Sequence, residues 1–267
     1  MILVCGDAMR DQYWHSDVTR ISPEAPVPVA KIIKQEEREG GAANVLNNVR
    51  AMGGQAVGLY ACSLEPIVKI RIIAKSQQMI RLDFDVPQEP ISIAEFSIAA
   101  LNAKYVIFSD YGKGGLAHVQ DLILLAKENG AQVYVDPKGY DYTRYRLADV
   151  VKPNLDEMRE LVGGWSTEAQ LAEKATKLRR DIGIKAILLT RAAAGMTLFT
   201  ESGAFNIPSA AKEVYDVSGA GDTAIAAFAV AQTMGHDWLS AAQYANKAAG
   251  IAVGRFGTAV VTKEEVF

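Results

Sequence analysis

The stretch DVSGAGDTAIAAF, residues 216–228, places Gly219, Ala220 and Gly221 directly before a carboxylate, Asp222, and an alanine-rich apolar run. Small residues at the start of a helix can present backbone N–H groups, where unpaired amides and the positive end of the helix dipole favour an anion. Phosphoryl transfer needs such charge neutralisation, together with a carboxylate that accepts the proton of the acceptor hydroxyl. Taken alone, GAGD is equally compatible with a glycine turn and an aspartate helix cap. It matches neither a Walker loop nor a GxGxxG dinucleotide fingerprint.

Short apolar runs alternate with helical patterns along most of the chain. This order predicts an α/β fold with a mostly parallel sheet and helices on both faces. Strands are predicted at 2–6, 27–33, 56–61, 104–110, 131–138, 149–154 and 185–191, with a hairpin return around Gly195. Helices are predicted after the glycines at 40–41 and at 117–129, 155–163, 167–182, 222–234 and 239–253. Proline at position 28 favours an edge strand for the second run.

The segment 68–85 alternates apolar with polar residues on both sides of KSQQ. Such alternation predicts a two-stranded antiparallel ribbon with one wet face. We expect a single domain over residues 1–267, carrying a small β-flap, or lid, built from about 12–35 and 68–86.

Polar residues follow five of the predicted strands, and ligands in open α/β sheets bind beyond the carboxyl ends of the strands. These residues are Asp7, Ser109-Asp110, Asp136-Pro137-Lys138, Lys152-Pro153-Asn154 and Thr190-Arg191. Loops are polar in general, so any one pair is weak, but the set outlines a cleft.

Composition narrows the class of protein. A net charge of −3 on 267 residues gives no general attraction to nucleic acid or to an anionic membrane. The two cysteines, Cys5 and Cys62, fit a reducing compartment, and the three histidines have no metal-ligand spacing. No apolar stretch approaches the ~20 residues that span a bilayer. We therefore expect a soluble, cytoplasmic protein that binds neither nucleic acid nor membrane.

Three motifs together resemble one family. DVSGAGDT resembles the C-terminal signature of the ribokinase-like (PfkB) carbohydrate kinases, GGAANVLNNVRAMGG its N-terminal glycine signature, and NLDE (154–157) its NxxE motif. From GDAMRDQYW to GRFGTAVVT the chain is similar to the heptose 7-phosphate kinases of that family. The resemblance implies ATP- and Mg²⁺-dependent phosphorylation of the anomeric hydroxyl of D-glycero-D-manno-heptose 7-phosphate. Two alternatives are a kinase of another sugar or sugar phosphate and a binding relative without turnover.

The resemblance also implies roles for individual residues. Asp222 would be the base and Gly219, Ala220 and Gly221 would hold the γ-phosphoryl. The sugar would contact Asp7, Gly40, Gly41 and Asn44, and its phosphate Arg81 and Lys138. The nucleotide would contact Asn154, Thr190, Asn246 and Gly257, with Glu157 organising Mg²⁺ through water. Asp216 and Ser218 match positions that hold a monovalent cation such as K⁺ in relatives. Some of these residues also have a purely structural explanation. It is a tight turn for Gly40 and Gly41, a helix cap for Asp222, a packed polar residue for Asn246 and a loop brace for Asp216.

The chain departs from the family in two places. Only ACSLEPI separates AVGLY from VKIRII, where relatives are much longer, and the chain is also short around DVPQEPISIAEF. The chain is expected to be a compact active variant, a relative that has lost turnover, or a sequence from which residues are missing. Since it stops soon after GTAVVT, we expect a stand-alone kinase or a kinase unit of a longer protein. The resemblance further implies a homodimer formed through the flap.

Overall fold

The computed structural model describes residues 1–61, 63, 65–75 and 77–267. The strands are β1 (Ile2–Gly6), β2 (Ala8–Ile21), β3 (Pro28–Gly41), β4 (Ala56–Tyr60), β5 (Ile67–Ala74), β6 (Gln77–Phe84), β7 (Tyr105–Ser109), β8 (Gln132–Asp136), β9 (Val150–Val151), β10 (Ala186–Thr190), β11 (Met196–Thr200) and β12 (Gly203–Ile207). The helices are α1 (Ala42–Ala51), α2 (Ile93–Ala100), α3 (Val119–Glu128), α4 (Leu155–Val162), α5 (Glu168–Asp181), α6 (Ala220–Thr233), α7 (Trp238–Ala252) and α8 (Lys263–Val266). Of the two cysteines, Cys5 is buried in β1 and Cys62 lies outside the described residues.

The main sheet has the strand order β12-β11-β10-β9-β8-β7-β1-β4. The neighbours in the series β10-β9-β8-β7-β1-β4 run parallel to each other. Strand β11 pairs antiparallel with both β10 and β12. The chain returns from β10 to β11 through Gly195, whose φ of 86° is a left-handed conformation that favours glycine. The predicted α/β class and the predicted hairpin return are both confirmed. The strand β12 that completes the edge was not predicted.

Helices cover both faces of the main sheet. Alternate residues of β1 show this, since Ile2 and Val4 pack with α1, α6 and α7, while Leu3 and Cys5 pack with α2 and α3. Helix α6 is buried from Asp222 to Gln232. Its alanines allow the close approach of α1 and α7, as the composition of this helix predicts. No helix in the described part of the chain is long and apolar enough to cross a membrane.

The flap is a separate four-stranded sheet with the order β3-β2-β5-β6. The ribbon predicted at 68–85 is present as β5 and β6, and β3 is an edge strand that begins at Pro28. The flap is larger than predicted, because β2 and β3 run over 8–21 and 28–41 rather than about 12–35. Only Asp7 separates β1 from β2, and α1 follows β3 without a loop. The flap therefore starts directly at the carboxyl edge of the main sheet.

Candidate active site

The GAGD motif forms the turn into α6. Gly219 caps the helix with a φ of 74°, a conformation that costs L-residues energy. A Cβ at Gly219 would lie 2.8 Å from Nδ2 of Asn44, and one at Gly221 would lie 3.0 Å from Nζ of Lys152. Small residues are required here because two polar side chains close on the turn. The N–H of Ala220 donates to the carbonyl of Val217 at 3.3 Å, so this amide is already engaged.

The carboxylate of Asp222 is 4% exposed and is held by two donors. Nδ2 of Asn44 donates to Oδ2 at 2.8 Å, and the hydroxyl of Tyr111 donates to Oδ1 at 2.7 Å. Burial raises the pKa of Asp222 to about 7, and the nearby Asp136 carboxylate acts in the same direction against both hydrogen bonds. A carboxylate with a pKa near neutrality is suited to accept a proton from a sugar hydroxyl.

A buried ion pair lies beside this turn. Nζ of Lys152 is 2.9 Å from Oδ1 of Asp136, and the Lys152 side chain is only 5% exposed. Burial raises the pKa of Asp136, and the ammonium of Lys152 opposes that rise. A fixed positive charge beside Gly221 would assist in neutralising a transferring phosphoryl group.

The glycine pair that precedes α1 lies between β1 and the flap. Gly41 has a φ of 59°, and a Cβ there would lie 2.4 Å from the carbonyl oxygen of Asp7. A Cβ at Gly40 would lie 2.3 Å from Oδ2 of Asp11. Asp11 is buried and accepts a hydrogen bond from Nη1 of Arg71 at 2.6 Å. The glycines therefore leave room for a carboxylate, Asp11, that the sequence analysis did not select.

Asp7 has a different environment from the one predicted for a sugar-binding residue. Its side chain is buried, and its carboxylate accepts the N–H groups of Tyr111, Lys113 and Gly115 at 3.0–3.1 Å. Burial raises its pKa, and these three hydrogen bonds oppose the rise. In this structure Asp7 holds the loop after β7, which carries Tyr111, so its predicted contact with sugar stays a prediction.

The two basic residues predicted for the sugar phosphate lie on different elements, and each has an acidic partner. Arg81 stands opposite Arg71 on β6, the outer strand of the flap, and both its Nε and Nη2 donate to Asp83. Lys138 follows β8, and its Nζ is 3.5 Å from Oε1 of Glu157. Their contact with a sugar phosphate stays a prediction.

Lys69 on β5 is a further flap cation, which the sequence analysis did not select. Its Nζ lies 5.5 Å from the centre of the Tyr111 ring, and burial lowers its pKa. The hydroxyl of Tyr111 in turn contacts Asp222.

The NLDE motif is a helix cap. Asn154 Oδ1 accepts the N–H groups of Asp156 and Glu157, and Oε2 of Glu157 accepts the N–H of Asn154 at 2.9 Å. This capping box begins α4. Asn154 also pairs with Thr190 of β10, so two of the predicted nucleotide residues are adjacent at the carboxyl edge.

The predicted magnesium site has one carboxylate, Glu157, beside the helix cap. Among the described residues no group of three His, Cys, Asp or Glu side chains is arranged around a metal position. Mg²⁺ commonly keeps several waters and binds one or two carboxylates together with substrate phosphates. Glu157 uses Oε2 for its helix cap, and its Oε1 lies 3.5 Å from Nζ of Lys138. It therefore fits this kind of water-mediated site.

The loop at 216–218 is hydrogen-bonded to Gly257, in the loop between α7 and α8. Asp216 accepts the N–H groups of Ser218 and Gly257, both at 2.9 Å. Burial opposes ionisation, but these hydrogen bonds lower the pKa of Asp216 below its ordinary value. The carboxylate is therefore ionised at neutral pH, as a cation site requires.

The flap contacts this loop between α7 and α8 through two side chains. The hydroxyl of Tyr13 accepts the N–H of Thr258 at 3.0 Å, and Nη1 of Arg38 donates to the carbonyl of Phe256 at 2.6 Å. A Cβ at Gly257 would lie 2.8 Å from the Tyr13 ring. Asn246, in contrast, is buried in α7 and donates to the carbonyl of Pro208 at 2.8 Å. Its nucleotide contact stays a prediction.

The structure thus assembles Asp222, the 219–221 turn and Asn44, and adds residues that sequence reasoning missed. The missed residues are Asp11, Tyr13, Lys69 and Tyr111. Asp136 and Lys152 were predicted to outline the cleft, but no role was predicted for either. The signal for Tyr111 was its position directly after Ser109-Asp110.

Comparison with known proteins gives a consistent result. The pattern of the "pfkB family carbohydrate kinase" matches residues 88–265. The D-beta-D-heptose 7-phosphate kinase of Bordetella bronchiseptica is 43% identical over 295 aligned residues, which cover 99% of this chain and 94% of the relative. The bifunctional protein HldE of Shewanella sediminis is 44% identical and covers 99% of this chain, which spans 62% of that protein. The aligned length exceeds 267, so these relatives contain residues without a counterpart here.

Solved structures with the same fold share little sequence. The ribokinase of Arabidopsis thaliana, complexed with ribose and ATP, superposes with a TM-score of 0.80 at 20% identity, covering 99% of this chain and 96% of that one. Phosphofructokinase-2 of Escherichia coli in complex with potassium gives a TM-score of 0.79 at 15% identity, covering 100% and 97%. The predicted ribokinase-like fold is confirmed.

Proposed function

The chain belongs to the pfkB family of carbohydrate kinases, and from this membership we propose that it transfers the γ-phosphoryl group of ATP to the anomeric hydroxyl of D-glycero-D-manno-heptose 7-phosphate. The products are ADP and the 1,7-bisphosphate. The observation that carries the proposal is the Asp222 carboxylate, buried at the start of α6 and oriented by Asn44 and Tyr111. The 43% identity to a heptose 7-phosphate kinase supports the choice of sugar. We treat the whole chain, 1–267, as one kinase unit with its flap.

Each step uses residues described above. Asp222 accepts the proton of the anomeric hydroxyl while the anomeric oxygen forms a bond to the γ-phosphorus. The bond from that phosphorus to the β,γ-bridging oxygen breaks at the same time. The N-terminal turn of α6 and the ammonium of Lys152 neutralise charge on the moving phosphoryl. Bound Mg²⁺ would neutralise phosphate charge, with Glu157 holding it through water.

The flap supplies the charge for the distal phosphate of the sugar. Asp11, Lys69 and Arg71 share one face of the flap, since they alternate along paired strands. Arg81 lies opposite Arg71 on the same face. We therefore assign the 7-phosphate to Lys69 and Arg71, with Arg81 and Lys138 at its periphery. Cytoplasmic location follows from this proposal, because ATP is available there.

The test is release of ADP from ATP and Mg²⁺ with heptose 7-phosphate, beside ribose, fructose 6-phosphate and a control without sugar. Protein of verified mass, 28.8 kDa, excludes a truncated sample. Turnover with heptose 7-phosphate alone is expected. Turnover with another sugar only would reassign the substrate, and the flap cations would then serve a different group.

A catalytically impaired relative is the second candidate, because residues of the relatives are absent here and lids exclude water from kinase sites. It predicts that nucleotide and heptose 7-phosphate each raise the melting temperature while no ADP forms. ADP formation above the control without sugar excludes it.

We also propose a homodimer formed through the flap. Ile80, Leu82 and Phe84 alternate along β6 and are 53%, 38% and 53% exposed, so an apolar strip lies on the face opposite Arg81. Such a strip at a sheet edge favours association with a second copy. Leu82→Asp should convert the protein to a monomer in sedimentation velocity, whereas an unchanged sedimentation coefficient would place the interface elsewhere.

A monovalent cation site is proposed at Asp216 and Ser218, supported by the ionised state of Asp216. Replacing K⁺ by a bulky organic cation at constant ionic strength should lower turnover. Equal turnover in both salts would refute the site.

A further inference from the structure

Tyr111 bridges three parts of the cleft. Its backbone N–H donates to Oδ2 of Asp7 at 3.1 Å, which fixes the start of the loop after β7. Its ring lies across the glycine turn, since Cε2 is 3.4 Å from the point that a Cβ at Gly41 would occupy. Its hydroxyl donates to Oδ1 of Asp222 at 2.7 Å. The residue is thus held at its backbone N–H and its hydroxyl, with one edge of the ring beside Gly41.

The second donor to Asp222 is equally constrained. Asn48 on the next turn of α1 donates to Oδ1 of Asn44 at 3.1 Å, so the Nδ2 of Asn44 faces the carboxylate. Each oxygen of Asp222 therefore has its own fixed donor, one from α1 and one from the loop after β7. Two donors from separate elements hold the plane of a carboxylate, whereas one donor would leave it free to rotate about its Cβ–Cγ bond.

We propose that Tyr111 is a positioning residue for the base: its hydroxyl holds Oδ1 of Asp222 so that the carboxylate meets the acceptor hydroxyl in one orientation and in its ionised form. The assignment rests on the proposed role of Asp222 as the base. Burial and the neighbouring Asp222 raise the pKa of Tyr111, so its hydroxyl remains a donor at neutral and mildly alkaline pH.

The charged groups around the pair define what removal of the hydroxyl would do. Asp136 at the end of β8 disfavours the ionised form of Asp222, and Lys152 after β9 favours it. On the flap side, Nζ of Lys69 on β5 lies 5.5 Å from the centre of the Tyr111 ring, and the charge of Asp11 on β2 raises the pKa of Tyr111. Without the phenol, burial and Asp136 are opposed only by Asn44 and Lys152, so ionisation of Asp222 moves to higher pH.

The test is Tyr111→Phe, which keeps the ring and removes one oxygen. In the pH profile of kcat we expect the acidic limb to move up by about one pH unit, because the ionised base loses one of its two hydrogen bonds. The additional loss at pH 6 is about tenfold and disappears by pH 9, where both forms are ionised. Tyr244→Phe is the matched control, since Tyr244 is half-buried in α7 against Phe267. An acidic limb that does not move, with or without a uniform loss of kcat, would overturn the proposal.

A second measurement does not depend on turnover. The carboxyl carbon of Asp222 can be titrated by NMR in protein labelled with ¹³C-aspartate, with Asp222→Asn to assign its signal. In Tyr111→Phe the midpoint should rise relative to wild type, and an equal midpoint would overturn the proposal even in a protein that phosphorylates none of the tested sugars. Failure of the sugar assays with a shifted midpoint would instead refute the proposed function alone.

Discussion

Replacing Asp222 with asparagine should lower turnover by orders of magnitude and, at neutral pH, stabilise the fold. The two side chains have the same shape, and asparagine can still accept the hydrogen bond from Asn44. Asparagine never ionises, so it carries no buried charge. Catalysis loses its base, for which a fall of roughly 10²–10⁴-fold in kcat is expected, while binding of nucleotide and sugar is kept.

The size of the stabilisation follows from the pKa of Asp222, which burial and Asp136 raise from 3.8 to about 7 in the folded protein. Between these two values the unfolded chain has released a proton that the folded chain retains. The free energy of unfolding therefore decreases as the pH rises from about 4 to 7 and is constant above that range. A separation of about three pH units corresponds to about 4 kcal/mol. For a chain of this size that is a change in melting temperature of about 10 °C.

Thermal melts of wild type and Asp222→Asn at pH 8 and pH 4 measure this directly. The variant should melt higher at pH 8, and most of the difference should be gone at pH 4, where the folded aspartate is protonated and the unfolded one is about half protonated. Asp237→Asn is the control of opposite sign, because hydrogen bonds from Ser240 lower the pKa of this exposed helix cap. It should give no stabilisation at pH 8.

Two results would refute the reasoning. A variant no more stable than wild type at pH 8 would show that Asp222 ionises without a penalty in the folded protein. Near-normal turnover would show that another group accepts the proton.

Three further predictions concern the same turn. Gly219→Ala should lower both the melting temperature and kcat, because its Cβ would lie 2.8 Å from Nδ2 of Asn44. Gly130→Ala isolates the cost of the backbone conformation, because Gly130 has a φ of 75° and nothing within 4 Å of its Cβ position. Equal losses in both variants would contradict the clash. Lys152→Met should destabilise by about 3 kcal/mol at pH 8 by leaving Asp136 unpaired, and by less at pH 5, as urea melts at both pH values would show. In wild type, kcat should fall about tenfold per pH unit below pH 7, as the base is protonated; a flat profile down to pH 5 would contradict this.

A strand with apolar buried positions can be predicted from the sequence, whereas a charged buried position hides strand β2. Strand β1 reads as a continuous apolar run, and all five of its residues are buried. In β2 the buried positions alternate from Met9 to Tyr13, but they include Asp11, which is 3% exposed and paired with Arg71. A buried carboxylate breaks the apolar alternation, so no strand is predicted there. The charge that hides the strand also marks the site.

The same limit applies to the site. Gly219 to Asp222 could be selected because four consecutive residues carry the signal. Tyr111 and Asn44 contact Asp222 across 111 and 178 positions of the chain, and no local pattern encodes such contacts. NLDE shows the reverse case, because a motif selected for its chemistry also forms the capping box of α4.

Two connections between the flap and the main domain are very short, β1 to β2 and β3 to α1. Asp7 alone connects β1 to β2, and α1 begins directly after Gly41. The N–H of Ala42 donates to the carbonyl of Asp7 at 3.0 Å, which binds the two joints to each other. Any rotation of β2 and β3 against the main sheet must be absorbed by the backbone at Asp7 and at Gly40–Gly41. Should the flap move as a lid, its hinge would be Asp7 and Gly40–Gly41, which are also proposed to bind the sugar. A substitution there would then change sugar affinity and lid motion together.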